Sequence, residues 1–290
     1  MGNGKMHYDD SMGSTPEMPQ PEILPPNAGY SAPPQPQPVR RHSMWASSPA
    51  TYFLVAVNCL IFLTMAANHV SPFSPTPEQL LHWGADNAGA VLLYNEWWRI
   101  VTAMFVHVGI IHLATNMWCL WNLGLLAEPL MGSTGVFAVY ILTGAAGNLL
   151  STLVNWVWPI RDASGVAFPV GAGASGAVFG IAGALIVLLK SKRLPVPAFE
   201  LHKLRRSVIY FAAINLVIGF SISFGSRFTG ISIDNMAHLG GFSCGLLFAA
   251  PMVPKLGSPR PDFRTLLGLA VLMVVAILVL FGFYLAKLAG

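Results

Sequence analysis

Charged residues are scarce in this sequence, since Asp, Glu, Lys and Arg make up 10% of its 290 residues, against roughly 25% in an ordinary soluble domain. Apolar residues make up 54%, which points away from a soluble enzyme. Cysteine is scarce too. Cys59, Cys119 and Cys244 all lie in apolar runs without a C-x-x-C pattern, which excludes a disulfide framework and a cysteine-based metal site.

Seven apolar runs predict the fold class. They cover residues 51–68, 109–130, 134–156, 171–189, 207–223, 236–253 and 265–286. Most approach the ~20 residues that a helix needs to cross a ~30 Å hydrocarbon core. A helix also satisfies its own backbone hydrogen bonds in lipid. We therefore expect an all-α polytopic membrane protein with seven transmembrane helices.

The basic residues predict the orientation of these helices. With the N-terminus in the cytoplasm, twelve of the sixteen Lys and Arg residues lie inside, and four lie outside: Arg99, Arg161, Arg227 and Lys287. Cytoplasmic loops carry the excess of positive charge in membrane proteins. We therefore expect a cytoplasmic N-terminus and an external C-terminus. Membrane orientation accounts for the excess of basic residues, and their distribution does not indicate nucleic-acid binding.

The composition divides the chain into three parts. Residues 1–45 contain nine prolines and predict a disordered cytoplasmic tail without the features of a signal peptide. Residues 46–255 hold six apolar runs and a long external loop, 71–105, of a length typical of functional loops. Residues 256–290 hold the seventh run. In the loop, Arg99 is the only basic residue, and it is expected either to pair with Glu96 or to cap backbone carbonyls.

A polar cluster, HVGIIHLATN, opens the second apolar run. His112 and Asn116 are four residues apart and share a helix face, whereas His107 need not share it. The cluster admits a metal site, a structural pair of histidines, or a catalytic role. The metal site is disfavoured because H-x-x-x-x-H lacks a nearby carboxylate ligand or base.

Small residues recur at every fourth position in two other runs. Gly241 and Gly245 follow His238 in the sixth run, and Gly176 and Gly180 follow Ser175 in the fourth. Small residues at this spacing let helix backbones approach closely in membranes. We therefore expect the helix that carries Ser175 to pack against the helix that carries His238.

The stretch GAGASGAVFG, residues 171–180, admits three interpretations. The dinucleotide fingerprint G-x-G-x-x-G fails because a membrane span follows and no Asp or Glu occurs between Asp162 and Glu200. Helix packing through the glycines and a nucleophilic role for Ser175 remain, and they are compatible.

The predicted topology brings the polar residues together. The second, fourth and sixth runs all enter from the external side, so Ser175, His238, His112 and Asn116 converge on one layer. A serine beside a histidine has the chemistry of a nucleophile and its general base. Histidine and asparagine side chains and the Ser175 N–H can stabilise an oxyanion. Asp234 is better explained as a helix cap, which favours a Ser–His dyad over a triad.

Over about residues 90–255 the sequence resembles the rhomboid intramembrane serine proteases. The resemblance rests on GASG, H-x-x-x-x-H-x-x-x-N, A-H-x-x-G-x-x-x-G, the WR before the histidines and TGAAGN at 143–148. It implies a rhomboid-like six-helix core plus one C-terminal transmembrane helix. It also implies the following roles: Ser175 as nucleophile, His238 as base, His112 and Asn116 in the oxyanion hole, and His107 as an auxiliary polar residue. Phe179 stands where family members often carry tyrosine; it can stack on His238 but cannot donate a hydrogen bond.

The same resemblance implies cleavage of single-span membrane proteins within the bilayer, without a metal or another cofactor, in a bacterial inner membrane. The alternative is a non-catalytic rhomboid-like protein that binds membrane clients. A transporter is disfavoured because the runs show no inverted repeat. The oligomeric state is not predicted.

Overall fold

A computed structural model of the chain describes residues 1–2, 48–162, 165–191, 194, 196–229, 234–255 and 260–290. Apart from its first two residues, the tail expected over residues 1–45 lies outside these ranges. The helices are α1 Pro49–Ala67, α2 Pro77–His82, α3 Ala88–Leu93, α4 Arg99–Thr102, α5 Ile110–Val157, α6 Ser175–Leu188, α7 Ala198–Thr229, α8 Asn235–Ala249 and α9 Arg260–Ala289. The 3-10 helices Ala103–Phe105 and Ala250–Lys255 follow α4 and α8.

The all-α membrane fold expected from the apolar runs is confirmed. Among the described residues, four helical segments are long and apolar enough to cross a membrane: Pro49–Ala67, Ile110–Val157, Asn235–Val253 and Asp262–Ala289. The strands that the structure contains are two or three residues long and lie in loops. Asp86–Asn87 (β1) pairs antiparallel with Val170–Gly171 (β4), and Ile160–Asp162 (β2) pairs with Gly165–Ala167 (β3).

Helix α5 contains two of the predicted spans, joined at a break. Gly132 has φ 74° and ψ 167°, a left-handed φ that glycine adopts without steric cost. The carboxylate of Glu128 lies beside this break. It accepts hydrogen bonds from the Thr51 backbone at 2.9 Å and from the Ser133 hydroxyl at 2.7 Å. Glu128 therefore ties the start of α1 to the turn between the two halves of α5.

Helix α6 begins at Ser175, four residues later than the apolar run predicts. Residues 170–171 are extended as β4, and Gly173 has φ +131°, so the chain becomes helical only after them. The 14 residues of α6 span about 21 Å at 1.5 Å per residue, less than a ~30 Å hydrocarbon core. Ser175 therefore stands at the start of the helix and not inside it, as the run 171–189 would have placed it.

The loop expected over residues 71–105 has structure of its own, in α2, β1, α3 and α4. Arg99 makes both of the interactions that its sequence left open. Its Nε donates to Glu96 at 2.6 Å, and its Nη1 donates to the carbonyls of Leu81 and Ala85 at 2.6 Å and 3.0 Å. The side chain of Asn148 on α5 donates to the Ile100 carbonyl at 2.9 Å, which fastens the loop to the bundle.

Helices α5, α6 and α8 form the centre of the bundle. Ile181 and Leu185 of α6 and Phe248 of α8 are fully buried there. A Cβ added to Gly241 would overlap the carbonyl of Gly176, and one added to Gly245 would overlap the carbonyl of Gly180. The backbones of α6 and α8 therefore touch along these glycines.

Candidate active site

Ser175 is the first residue of α6 and is partly buried. The first backbone bond of the helix runs from Val178 N–H to the Ala174 carbonyl at 3.0 Å. The N–H groups of the first turn therefore have no partner within the helix. Such free N–H groups, at the positive end of the helix dipole, favour a negatively charged oxygen. The hydroxyl of Ser175 thus lies next to backbone N–H groups that are free to donate hydrogen bonds.

His238 of α8 packs against α6 at Phe179, one helical turn after Ser175. Its imidazole stacks on the ring of Phe179 with 4.4 Å between ring centroids and 14° between the planes. Phe179 is four residues after Ser175, and residues at that spacing share a helix face. The ring of His238 is only 6% exposed. Its position beside the face that carries Ser175 is thus set by an aromatic contact.

No carboxylate supports the imidazole of His238 among the described residues. Its Nδ1 is buried without a hydrogen-bond partner there. Asp234, four residues earlier, caps α8 by accepting from the Ala237 N–H at 2.9 Å. Asp234 also accepts from the Ser151 hydroxyl at 2.5 Å. The expected helix-capping role of Asp234 is therefore what the structure shows.

In the described part of the chain, no hydrogen bond joins the hydroxyl of Ser175 to the imidazole of His238. Catalytic hydrogen bonds are often long in the absence of substrate and tighten only in the complex. The two side chains therefore lie where α6 and α8 pack together, but they are not hydrogen-bonded to each other.

His112 lies against the segment that precedes Ser175. A Cβ at Gly173 would come within 2.6 Å of the His112 Cε1 and 3.1 Å of its Nε2, so only glycine leaves room for this ring. Asn116, one turn later on α5, donates from Nδ2 to the His112 carbonyl at 2.9 Å. Both residues thus lie on the α5 face next to the start of α6.

His107 is fully buried and bonds to backbone on both sides of its ring. Its Nδ1 lies 3.3 Å from the Phe105 carbonyl, and its Nε2 lies 3.4 Å from the Ala174 N–H. Donation from Nδ1 and acceptance at Nε2 satisfy both contacts with one neutral tautomer. His107 therefore holds the residue immediately before Ser175, and its ring centroid is 5.4 Å from that of His112.

The sequence alone does not indicate that one acid next to this region, Asp86, is buried. Asp86 is 2% exposed and lies in β1, opposite Gly171 of β4. The signal in the sequence is a lone carboxyl in an otherwise uncharged stretch of the loop, WGADNAGAVLL. Its surroundings depend on strand pairing with a segment 85 residues away.

Comparison with known proteins matches the Rhomboid domain over residues 94–255, more than half of the chain. Rhomboid protease GluP of Bacillus subtilis (strain 168) is 32% identical over 209 residues, 72% of this chain and 36% of that protein. RHOMBOID-like protein 1 of Arabidopsis thaliana is 32% identical over 178 residues, 61% of this chain and 39% of that protein. Rhomboid protease AarA of Providencia stuartii is 29% identical over 208 residues, 69% and 70% of the two chains.

The matched part of this chain spans less than half the length of the first two relatives. The matched domain contains the candidate residues of α5, α6 and α8, together with the glycines at which α6 and α8 touch. The helical membrane fold and the domain match lead to one conclusion: the chain belongs to the rhomboid family.

Proposed function

We propose that this protein is a serine endopeptidase that hydrolyses peptide bonds in or near the transmembrane segments of membrane proteins. The observation that carries the proposal is the stack of His238 on Phe179, one helical turn from Ser175. The named rhomboid proteases among its relatives support the same activity.

In the proposed reaction Ser175 and His238 act as a dyad. Ser175 Oγ attacks the scissile carbonyl while His238 accepts the hydroxyl proton. His238 then delivers that proton to the leaving amine, and a water hydrolyses the acyl-enzyme in the same manner. The Asp234 carboxylate is occupied as a helix cap, so it is not assigned to the reaction.

The oxyanion of the tetrahedral intermediate is assigned three donors: the N–H of Ser175 and the side chains of His112 and Asn116. The N–H is free at the helix start, and the ring of His112 packs against Gly173, two residues before the nucleophile. Donors aimed at developing charge are worth about 3 kcal/mol each in water-excluded sites. His107 acts through the backbone of Ala174 and touches no reacting atom.

The proposed site lies below the membrane surface and opens to the external side; the short α6, which spans less than the hydrocarbon core, supports this depth. A substrate helix has all its backbone hydrogen bonds made internally, so it must unwind before its carbonyl reaches Ser175. Single-span substrates with helix-breaking residues fit this requirement. The same proposal takes the N-terminus as cytoplasmic, the C-terminus as external and the membrane as a bacterial inner membrane, and it requires no metal or other cofactor.

A non-catalytic rhomboid-like protein that binds membrane clients is the second candidate. The observation that favours it is that the described part of the chain shows no hydrogen bond between Ser175 and His238. The two candidates differ in one property, because only a protease consumes its client.

The test uses the 290-residue chain in liposomes, with a fluorophosphonate probe and a fluorescent transmembrane substrate. The native protein is expected to react with both. Ser175→Ala should abolish both signals, and His238→Ala should nearly abolish them. Ser74→Ala, at an exposed serine of the external loop, is the matched control and should change neither. Cleavage by Ser175→Ala would contradict the dyad, whereas binding of the substrate by native protein without cleavage would favour the second candidate.

A further inference from the structure

Two carboxyl groups, those of Asp86 and Asp234, lie close to Gly171. A Cβ atom added to Gly171 would lie 3.3 Å from Asp234 Oδ2 and 3.9 Å from Asp86 Oδ2. Asp86 lies on β1, directly opposite Gly171 in the β1–β4 pair. Asp234 is the cap of α8. A side chain at position 171 would therefore contact both acids.

The groups that hydrogen-bond these carboxyls are neutral. Thr152 donates to the Asp86 carboxyl at 3.1 Å, and Ser151, its neighbour on α5, donates to Asp234 Oδ2 at 2.5 Å. The side chain of Asn155 in turn donates to the Ser151 hydroxyl at 3.1 Å. Hydroxyl donors stabilise a carboxylate without compensating its charge. Two ionised acids at this place would therefore repel each other.

The charged groups nearby do not bind either acid among the described residues. From α4, Arg99 lies close enough to act on Asp86, but its guanidinium is bound to Glu96 and to two loop carbonyls. The facing parts of α3, β4 and α5 carry no charged side chain. On α8 the next titratable group is His238, whose ring faces Phe179.

Burial raises the pKa of the Asp86 carboxyl from 3.8 to about 7, and the charge of Asp234 adds to the rise, while Thr152 and Arg99 oppose it. Burial also raises the pKa of Asp234. Two acids in one buried site do not both ionise readily, because the second ionisation meets the charge of the first. Well below pH 7 the pair therefore holds at least one proton.

The two acids connect the segments that carry the candidate catalytic residues. Gly171, opposite Asp86, is four residues before Ser175, and Asp234 is four residues before His238. We propose that Asp86 and Asp234 form a positioning pair that fastens the strand leading to Ser175 to the start of the helix bearing His238, and that this fastening weakens when both carboxyls ionise. The catalytic consequence rests on the proposed protease function.

The direction of the pH dependence follows from the raised pKa of Asp86. In the folded protein Asp86 keeps its proton at pH values where the unfolded chain has lost it. The stability that this proton contributes is therefore lost as pH rises from 3.8 to about 7. Above about 7 the folded protein itself loses the proton, and the alignment of Ser175 with His238 declines.

The first test is the pH profile of kcat/KM in liposomes for the native protein, Asp86→Asn and Glu78→Gln. If only the protonated pair is active, native activity falls by up to about tenfold between about pH 6 and pH 8, as the protonated fraction of such a group does. Asp86→Asn keeps a neutral side chain of the same shape and should remove this fall while remaining active at about pH 6. Glu78, an exposed carboxylate of α2, is the matched control and should retain the fall.

A second readout does not require proteolysis. The infrared band of a protonated carboxyl should be present in the native protein at about pH 6, titrate away near neutral pH, and be lost or shifted in Asp86→Asn. Asp234→Asn serves if Asp86→Asn does not fold, because asparagine also caps helices well.

The outcomes separate the two proposals. Absence of the infrared band in native protein overturns the pair. A band with an unchanged activity fall in the asparagine variants overturns its positioning role. If the native protein cleaves nothing, the proposed function is overturned. The positioning pair is then tested by the infrared band and by thermal stability. Stability should fall with rising pH in the native protein but not in Asp86→Asn.

Discussion

The ring of His238 lies nearly parallel to the ring of Phe179, with 4.4 Å between their centroids. Phe179 is buried on α6, and the second ring in contact with it, that of Phe211, belongs to α7 at 6.2 Å. The proposed general base is therefore held by its ring face, while its Nδ1 lacks a partner among the described residues. Stacking sets the plane of the imidazole but not the direction of its proton.

Phe179→Ala is expected to lower kcat strongly, by on the order of tenfold to a hundredfold, because a small misplacement of a catalytic group has effects of that size. Substrate binding should change less, since Phe179 is only 3% exposed. Phe179→Tyr keeps the stack and should retain activity. The measurement is kcat and KM in liposomes. Equal activity in Phe179→Ala and native protein would show that the stack does not position His238.

Gly241→Val is expected to destabilise the protein and abolish cleavage, since its side chain would overlap the Gly176 carbonyl. Overpacking costs about 1–3 kcal/mol or more, and here it also separates the helices that carry Ser175 and His238. Gly268→Ala is the control, because a Cβ there meets no atom within 4 Å. Thermal unfolding and cleavage should be near native in the control. A Gly241→Val variant with full activity would contradict close contact of α6 and α8.

Chelators are expected to leave activity unchanged. The ring nitrogens of His107 face the Phe105 carbonyl and the Ala174 N–H, which leaves neither free for a metal. The described residues contain no group of three His, Cys, Asp or Glu side chains placed to hold an ion. The measurement is cleavage before and after treatment with EDTA. Inhibition that added metal reverses would revive the metal interpretation of His107 and His112.

Glu128→Gln is expected to lower the melting temperature by several degrees. The carboxylate accepts from the N–H groups of Ala50 and Thr51 at 2.8 Å and 2.9 Å and from the hydroxyls of Thr51 and Ser133 at 2.6 Å and 2.7 Å. An amide accepts at one atom only, so buried donors lose partners at about 1–3 kcal/mol. Glu200→Gln, on the exposed start of α7, is the control and should melt as native protein does.

Local patterns predict the helices well, because each helix in lipid needs a long apolar run and makes its own hydrogen bonds. They also predict which residues repeat at helical spacing, such as Gly241 and Gly245. They miss the start of α6, which depends on β4 pairing with β1. The break at Gly132 lies between two predicted runs, but the four hydrogen bonds of Glu128 that surround it come from residues distant in sequence as well as near.

By itself, the sequence determined the membrane class, the approximate helices and the residue types able to do acyl chemistry, because apolar length and i, i+4 spacing are local properties. Only the tertiary structure decided that α6 starts at Ser175, that His238 stacks on Phe179, and that Asp86 and Asp234 both lie close to Gly171. These contacts join residues far apart in the chain, and their energies come from strand pairing, burial and helix contact. None of these contacts leaves a periodic pattern in the sequence of a single segment.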